Sequence, residues 1–351
     1  MTSRLSRLRT ILKHKGIDAI ILTHPANVSY LTQLQTLDSC LFIHKNKCLL
    51  ITDSRYATEY RNCLNNKEIE ILDTGKSLAK TLKEITKKIK ISNLGFEQEH
   101  TSFYLYQKLK SVFKKKLIPC SKIVEKMRVI KVADEFKLIK QAVNITLDTF
   151  KYIKEILRPG LKEIELAAEI ERFIRLRGAM NSSFDIIVAS GPNSSLPHAQ
   201  KTDRKIRNNE PVLIDMGVEY KGYKSDLTRV FFLGKMDTLF KKAYSIVQTA
   251  QQKARKLIKP GSTIDHIDRS ARDFIANNGF EGCFKHSLGH GIGLETHELP
   301  NISQKNKKKL KAGMVFTLEP AIYLDNKFGI RIEDMILVTP SGIEVLSDSR
   351  N

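Results

Sequence analysis

No run of eighteen apolar residues occurs in the chain, which excludes a membrane-spanning helix. Cysteine is scarce and poorly arranged for cross-linking. The five are Cys40, Cys48, Cys63, Cys120 and Cys283, an odd number with no CxxC spacing. A disulfide framework and a thiolate zinc site are therefore not expected, and the thiols read as reduced and mostly buried. The basic start, Met1 to Gly16, lacks the long apolar stretch and small-residue cleavage site of a secretory signal. A cytoplasmic location is expected. Acids are in deficit, and the net charge is +21. The densest basic runs, Lys114-Lys115-Lys116 and Lys305 to Lys311, carry no interleaved aromatics and no nucleic-acid motif. They read as solvated faces with only weak, salt-sensitive attraction to polyanions. No specific nucleic-acid partner and no membrane contact are expected.

What is present is globular: 41% hydrophobic and 28% charged residues over 351 positions, enough for two domains. Leu5, Leu8, Ile11 and Leu12 share one helical face that Gly16 closes, and Ala19 to Thr23 reads as a buried strand. Cys40–Ile43 and Cys48–Thr52 flank Lys45-Asn46-Lys47 as a hairpin. Helices and strands alternate to about residue 125, with His14, His24, His44 and His100 scattered and no catalytic cluster. The polar stretch Lys126 to Asp134 places a boundary near 130, giving an α/β domain over 1–130 and a second domain over 131–351. The second contains a repeat: Pro159-Gly160, Phe173-Ile174 and Gly178 recur 101 residues later as Pro260-Gly261, Phe274-Ile275 and Gly279. Each copy reads as a Pro-Gly turn opening an amphipathic helix that a glycine stops.

A hairpin follows each copy, and both carry acids in apolar strands. The first runs Val212 to Gly217 and returns as Ser225 to Phe232. A turn centred on Tyr220-Lys221 would set Asp215 opposite Asp226. The second runs Val315 to Pro320 and returns as Gly329 to Asp334. A turn centred on Asn326 sets Glu319 opposite Glu333. Opposed residues on antiparallel strands have Cβ atoms about 4.5–5.5 Å apart. Carboxylates at that distance repel, and apolar surroundings worsen the repulsion. Arg229 or Arg331 could neutralise one pair. Two pairs in related hairpins are better explained by divalent cations, two of them about 3.5–4 Å apart in sites of this kind. Between the hairpins lies His286 to Glu298, with three of the nine histidines, His286, His290 and His297. Glycines beside His290 let backbone and imidazole approach a crowded centre.

These residues resemble the pita-bread metallopeptidases of the Xaa-Pro aminopeptidase and prolidase type. The motifs that carry the likeness are Ile214-Asp215-Met216-Gly217, Ser225-Asp226-Leu227-Thr228-Arg229, His286 to Pro300, Thr317-Leu318-Glu319-Pro320 and Gly329 to Asp334. The first domain resembles the creatinase-type domain, with Pro25 to Thr32 as its recognisable stretch. The resemblance implies a two-domain α/β chain, a creatinase-like domain followed by a pseudo-twofold α+β pita-bread catalytic domain, assembled as a homodimer. It implies two divalent ions: Asp215 chelating one, His290 and Glu319 holding the other, Asp226 and Glu333 bridging both. Mn²⁺ leads, with Co²⁺, Zn²⁺ or Fe²⁺ as alternatives. It implies that a water or hydroxide held by the metals is the nucleophile and that Glu319 accepts and carries its proton. His198, in Ser190 to His198, and His297 would bind the substrate carbonyl and stabilise its developing charge. His286 and Arg331 would support the site. The implied substrates are peptides with proline second.

Two departures bear on the reaction. Prolidases often place an arginine just after the His-Glu-x-Pro segment to hold a dipeptide carboxylate, and here Asn301 follows Pro300. That favours longer peptides over strict dipeptidase action, with prolidase the alternative. Ala321 stands where the family usually has glycine. Methionine aminopeptidases share the five ligands but fit the first domain and the His198 loop poorly. Creatinase-type enzymes do not need the full ligand set. A non-catalytic binding module, for nucleic acid or as a chaperone, has only the net charge in its favour.

Overall fold

The computed structural model describes residues 3–75 and 77–348. Met1 and Thr2 of the basic start lie outside the described residues, as do 76 and 349–351. The chain divides into two compact units, residues 1–127 and 128–351.

In the first unit the helix Arg4–His14 buries Leu5, Leu8 and Leu12, and the Ser3 side chain caps it by accepting from the Ser6 amide. Gly16 ends it at φ +64°. Ala19–Leu22 is buried at every position, as a strand covered on both faces must be. It lies in a six-stranded sheet ordered 70–73, 47–52, 40–44, 19–22, 93–97, 116–120. Ala19–Leu22 runs antiparallel to Cys40–His44 and parallel to Asn93–Glu97. The hairpin closes with His44 opposite Lys47. Pro25–Thr32 is a helix opened by its proline, whose missing N–H costs nothing at that position.

The second unit is duplicated. The helices Glu163–Leu176 and Ile264–Ile275 begin 101 residues apart, after Gly160 and Gly261 at φ +89° and +90°, and Gly178 and Gly279 follow at +87° and +91°. An equivalent segment in each copy closes the turn: the Gly160 amide donates to Ile206 O and the Gly261 amide to Leu310 O, both at 2.9 Å. Each copy is preceded by a long helix, Ala133–Ile156 or Thr238–Leu257. Two apolar cores result, one around Ile139, Ile170 and Ile214, the other around Phe240, Ile267 and Phe316.

Each hairpin is split into two ladders that keep one register. In the first, Glu210–Met216 pairs with Leu227–Leu233, and beyond a break Val218–Tyr220 pairs with Tyr223–Lys224. Gly217 occupies the break, where a Cβ would stand 1.8 Å from Ser225 O. In the second, Val315–Leu318 pairs with Asp334–Thr339, and beyond a break Ala321–Leu324 pairs with Phe328–Arg331. Pro320 lies in that break and has no N–H to offer a ladder. Leu318 faces Asp334 and Ala321 faces Arg331, so the shared register sets Glu319 across from Glu333, as expected from a turn at Asn326 (φ +59°).

The first hairpin corrects the expected register. Asp215 faces Thr228, not Asp226. The turn is Lys221-Gly222, with both residues at positive φ (+48° and +84°), one position later than assumed. Successive positive-φ residues match the twist of a two-residue hairpin. A one-position change in the centre moves the register by two, which preserves the face.

Candidate metal centre

The acids gather where the ladders break. One donor atom each from Asp226, His290 and Glu333 all lie within 4.8 Å of one another. His290 Nε2 is 3.5 Å from Asp226 Oδ2 and 3.6 Å from Glu319 Oε1. Asp215 is ion-paired to Arg331 Nη2, while its other oxygen, Oδ1, is buried with no hydrogen-bond partner. Burial first, then the charges of Glu333, Asp215 and Glu319, push the Asp226 carboxyl well above its usual range. Burial, then Glu319 and Asp215, do the same to Glu333. Burial raises Glu319 to about 7, with Arg331 opposing.

His290 is braced for ligation. Its Nδ1 faces Gly291 O at 3.1 Å, so the tautomer that donates there leaves the Nε2 lone pair toward Asp226 and Glu319. Its amide donates to Thr317 Oγ1, which donates to Glu319 Oε1. Gly289 and Gly291 are obligatory, since added Cβ atoms would stand 1.9 Å from Thr317 O and 2.2 Å from Leu299 O. Burial pulls the imidazole down to about 4, and so it stays neutral at pH 7.

His286 has a different task. Its Nδ1 faces Ser287 O at 2.8 Å and its Nε2 faces the Tyr323 hydroxyl at 3.1 Å. Arg331 Nη1 donates to that hydroxyl, so Tyr323 passes its own proton toward His286 Nε2. Both ring nitrogens are thereby occupied, although Nδ1 lies 3.7 Å from Glu319 Oε2. Arg331 also donates from Nε to Thr228 Oγ1 and from Nη1 to Pro197 O, and Thr228 Oγ1 donates to Glu333 Oε2 at 2.6 Å. Tyr323 and Thr228 were not singled out from sequence. Thr228 stands inside the Ser225 to Arg229 motif, but Tyr323 leaves no local signal.

The remaining two histidines sit at the exposed edge. The His297 ring lies 4.2 Å from that of His290. Burial, then the charge of His198, lower its pKa, and Asp215 opposes them. His198 follows a 3-10 turn, Gly191–Ser195. Buried Glu163 ties that loop down by accepting from Ser190 N and Oγ, Asn193 Nδ2, and Thr202 N and Oγ1. The Gly329 amide donates to Ser194 Oγ. Asn301 is exposed on the strand Glu298–Ile302.

The residues fit a divalent cation. Mutually repelling buried carboxylates, an orphan Asp215 oxygen and an oriented imidazole are all relieved by positive charge, and the oxygen-rich donor set suits a hard or borderline ion. Fold and site thus define a metalloenzyme on a duplicated α+β frame. The comparisons with known proteins narrow the class. Residues 137–340 match metallopeptidase family M24, and residues 4–130 match the Creatinase/Prolidase N-terminal domain. A Xaa-Pro dipeptidase structure from Bacillus anthracis superposes with TM-score 0.95 at 38% identity, covering 98% of this chain and 97% of that one. An X-Pro aminopeptidase structure from Thermotoga maritima gives TM-score 0.91 at 37% identity, with the same coverage. The Xaa-Pro dipeptidase of Pyrococcus horikoshii is 33% identical over 349 residues, 99% of this chain and 97% of that protein. The chain belongs to metallopeptidase family M24, with the creatinase-type domain preceding the pita-bread domain, and it is a metal-dependent peptidase. No helix among the described residues is long and apolar enough to cross a membrane.

Proposed function

We propose that the chain removes the N-terminal residue from peptides whose second residue is proline, acting in the cytoplasm as a homodimer. The observation that carries the reading is the convergence of Asp226, His290 and Glu333 at the hairpin breaks. Asp215 would hold one ion, His290 and Glu319 another, and Asp226 and Glu333 both, with Mn²⁺ the ion inferred from the carboxylate-rich set. Such cations supply Lewis acidity and bring the pKa of water toward neutrality. Glu319, beside the water that the ions would hold, accepts the proton of the attacking water and returns it to the leaving nitrogen of proline. His297 and His198 present N–H groups to the substrate carbonyl as charge develops on it. Arg331 holds Asp215, Thr228 and Tyr323 in place around the acids.

The named relatives divide between dipeptidase and aminopeptidase at nearly equal identity, so the choice between them rests on this chain. Asn301 offers no positive charge to a dipeptide carboxylate, which supports action on longer peptides. Chelator-stripped protein assayed on Xaa-Pro dipeptides and Xaa-Pro-Yaa tripeptides, with and without Mn²⁺ or Co²⁺, tests this. Metal-dependent release from tripeptides is expected. Cleavage of dipeptides alone would make it a prolidase, and no cleavage with any metal would overturn the reading.

A further inference from the structure

The helix Thr238–Leu257 buries Phe240, Ala243, Val247, Ala250 and Ala254 against the second core, and Gln251 lies buried among them. A buried amide is costly unless it is hydrogen-bonded. Gln251 Nε2 donates to Leu318 O at 3.2 Å and to Ile332 O at 3.0 Å. These carbonyls lie on opposite strands of the second hairpin, at the break between its ladders. One immediately precedes Glu319 and the other immediately precedes Glu333. A single amide nitrogen therefore ties the two strands together where ladder pairing is interrupted.

The first copy uses the same device with other chemistry. From its long helix, buried Thr146 shares a 2.7 Å hydrogen bond with Ser225, the residue immediately before Asp226, and the Ser225 hydroxyl accepts from the Val218 amide. In both copies a polar side chain on the long helix grips the residue that precedes a site acid.

We propose that Gln251 is a positioning residue of the metal centre, fixing the separation of Glu319 from Glu333 without touching an ion. This rests on the metal reading of the five ligands. Outer partners of ligating residues are worth about 10–100-fold in metal affinity or activity, and a ligand's backbone held by one amide is such a partner. Gln251→Leu removes both donors. Gln251→Glu keeps the shape and sets acceptors against the two carbonyls.

The test is calorimetric titration of chelator-stripped wild type and both variants with Mn²⁺, alongside thermal unfolding of the metal-free forms and tripeptide kinetics. Mn²⁺ affinity is expected to fall about 10–100-fold, with kcat falling and KM moving little, in whichever variant retains a cooperative unfolding transition. Either folded variant with Mn²⁺ affinity and kcat within twofold of wild type overturns the proposal. Wild type that binds no Mn²⁺ instead overturns the metal reading beneath it.

Discussion

Buried carboxylates occur in both units, and their surroundings differ. In the first unit Glu97 accepts from the Thr23 and His24 amides at 2.6 and 2.8 Å and from Asn27 Nδ2 at 2.6 Å. In the second, Glu163 has five donors from the His198 loop. Each is a knot that satisfies backbone and side-chain N–H groups. Asp226 and Glu333 face other carboxylates instead, and burial together with those neighbours raises both. Burial alone therefore does not mark a site. An acid buried without enough donors carries a demand for positive charge, whereas an acid surrounded by donors is structure.

The sharpest way to separate the two kinds is to neutralise one of each. Asp226→Asn should abolish peptide hydrolysis, with kcat down at least about 10³-fold in excess Mn²⁺, since it removes a ligand of both proposed ions. The same change should raise the melting temperature of the metal-free protein, because it deletes a repelling buried charge. Loss of activity with a lower metal-free melting temperature would place Asp226 with Glu97 and Glu163.

Acidity gives the next largest contrast. The folded protein holds the Glu319 proton to about 7 against an ordinary value of 4.5. A carboxyl raised on folding contributes stability that is fully present below its unfolded value and is lost as pH rises through the folded one. Metal-free protein should therefore lose roughly 3 kcal/mol between pH 4.5 and pH 7.5 from this group, with Asp226 and Glu333 shifting in the same direction. Mn²⁺ should abolish the slope. Chemical denaturation across that range with and without metal reads it directly, and a flat metal-free profile would contradict the donor-poor reading.

Glu163→Gln should behave oppositely. An amide in place of the carboxylate sets N–H against N–H at Ser190 and Thr202, a loss of about 2 kcal/mol. Mn²⁺ affinity should stay within twofold, while KM for tripeptides rises as the His198 loop loosens. A fall in Mn²⁺ affinity would join Glu163 to the metal site.

Much of this is legible in the sequence itself. The paired acids stood out because period-2 apolar strands leave no room for them, and the His290 glycines because crowding demands them. The second hairpin's register followed from Asn326. The first did not, because Lys221 adopts a left-handed conformation that a lysine does not advertise. The even shift keeps Asp215 on the face expected of it. Tyr323, Thr228 and Gln251 act across long sequence separations, and no local pattern announces them. Gln251 came nearest to being readable, as a polar residue on an apolar helix face.

The smallest effect tests the relay that distinguishes His286 from His290. Tyr323→Phe deletes the hydroxyl that stands between Arg331 Nη1 and His286 Nε2. The bond to His286 is neutral and worth about 1 kcal/mol, so its loss should lower kcat about fivefold through the loosened imidazole, while the guanidinium keeps its bonds to Asp215, Thr228 and Pro197. The metal ligands keep their own braces, Thr228 on Glu333 and Thr317 on Glu319, so Mn²⁺ affinity should hold. If the variant instead loses metal as severely as Asp226→Asn, then the Tyr323 hydroxyl holds the ligands themselves through His286 and Arg331, and the division between a supporting relay and the braced ligands fails.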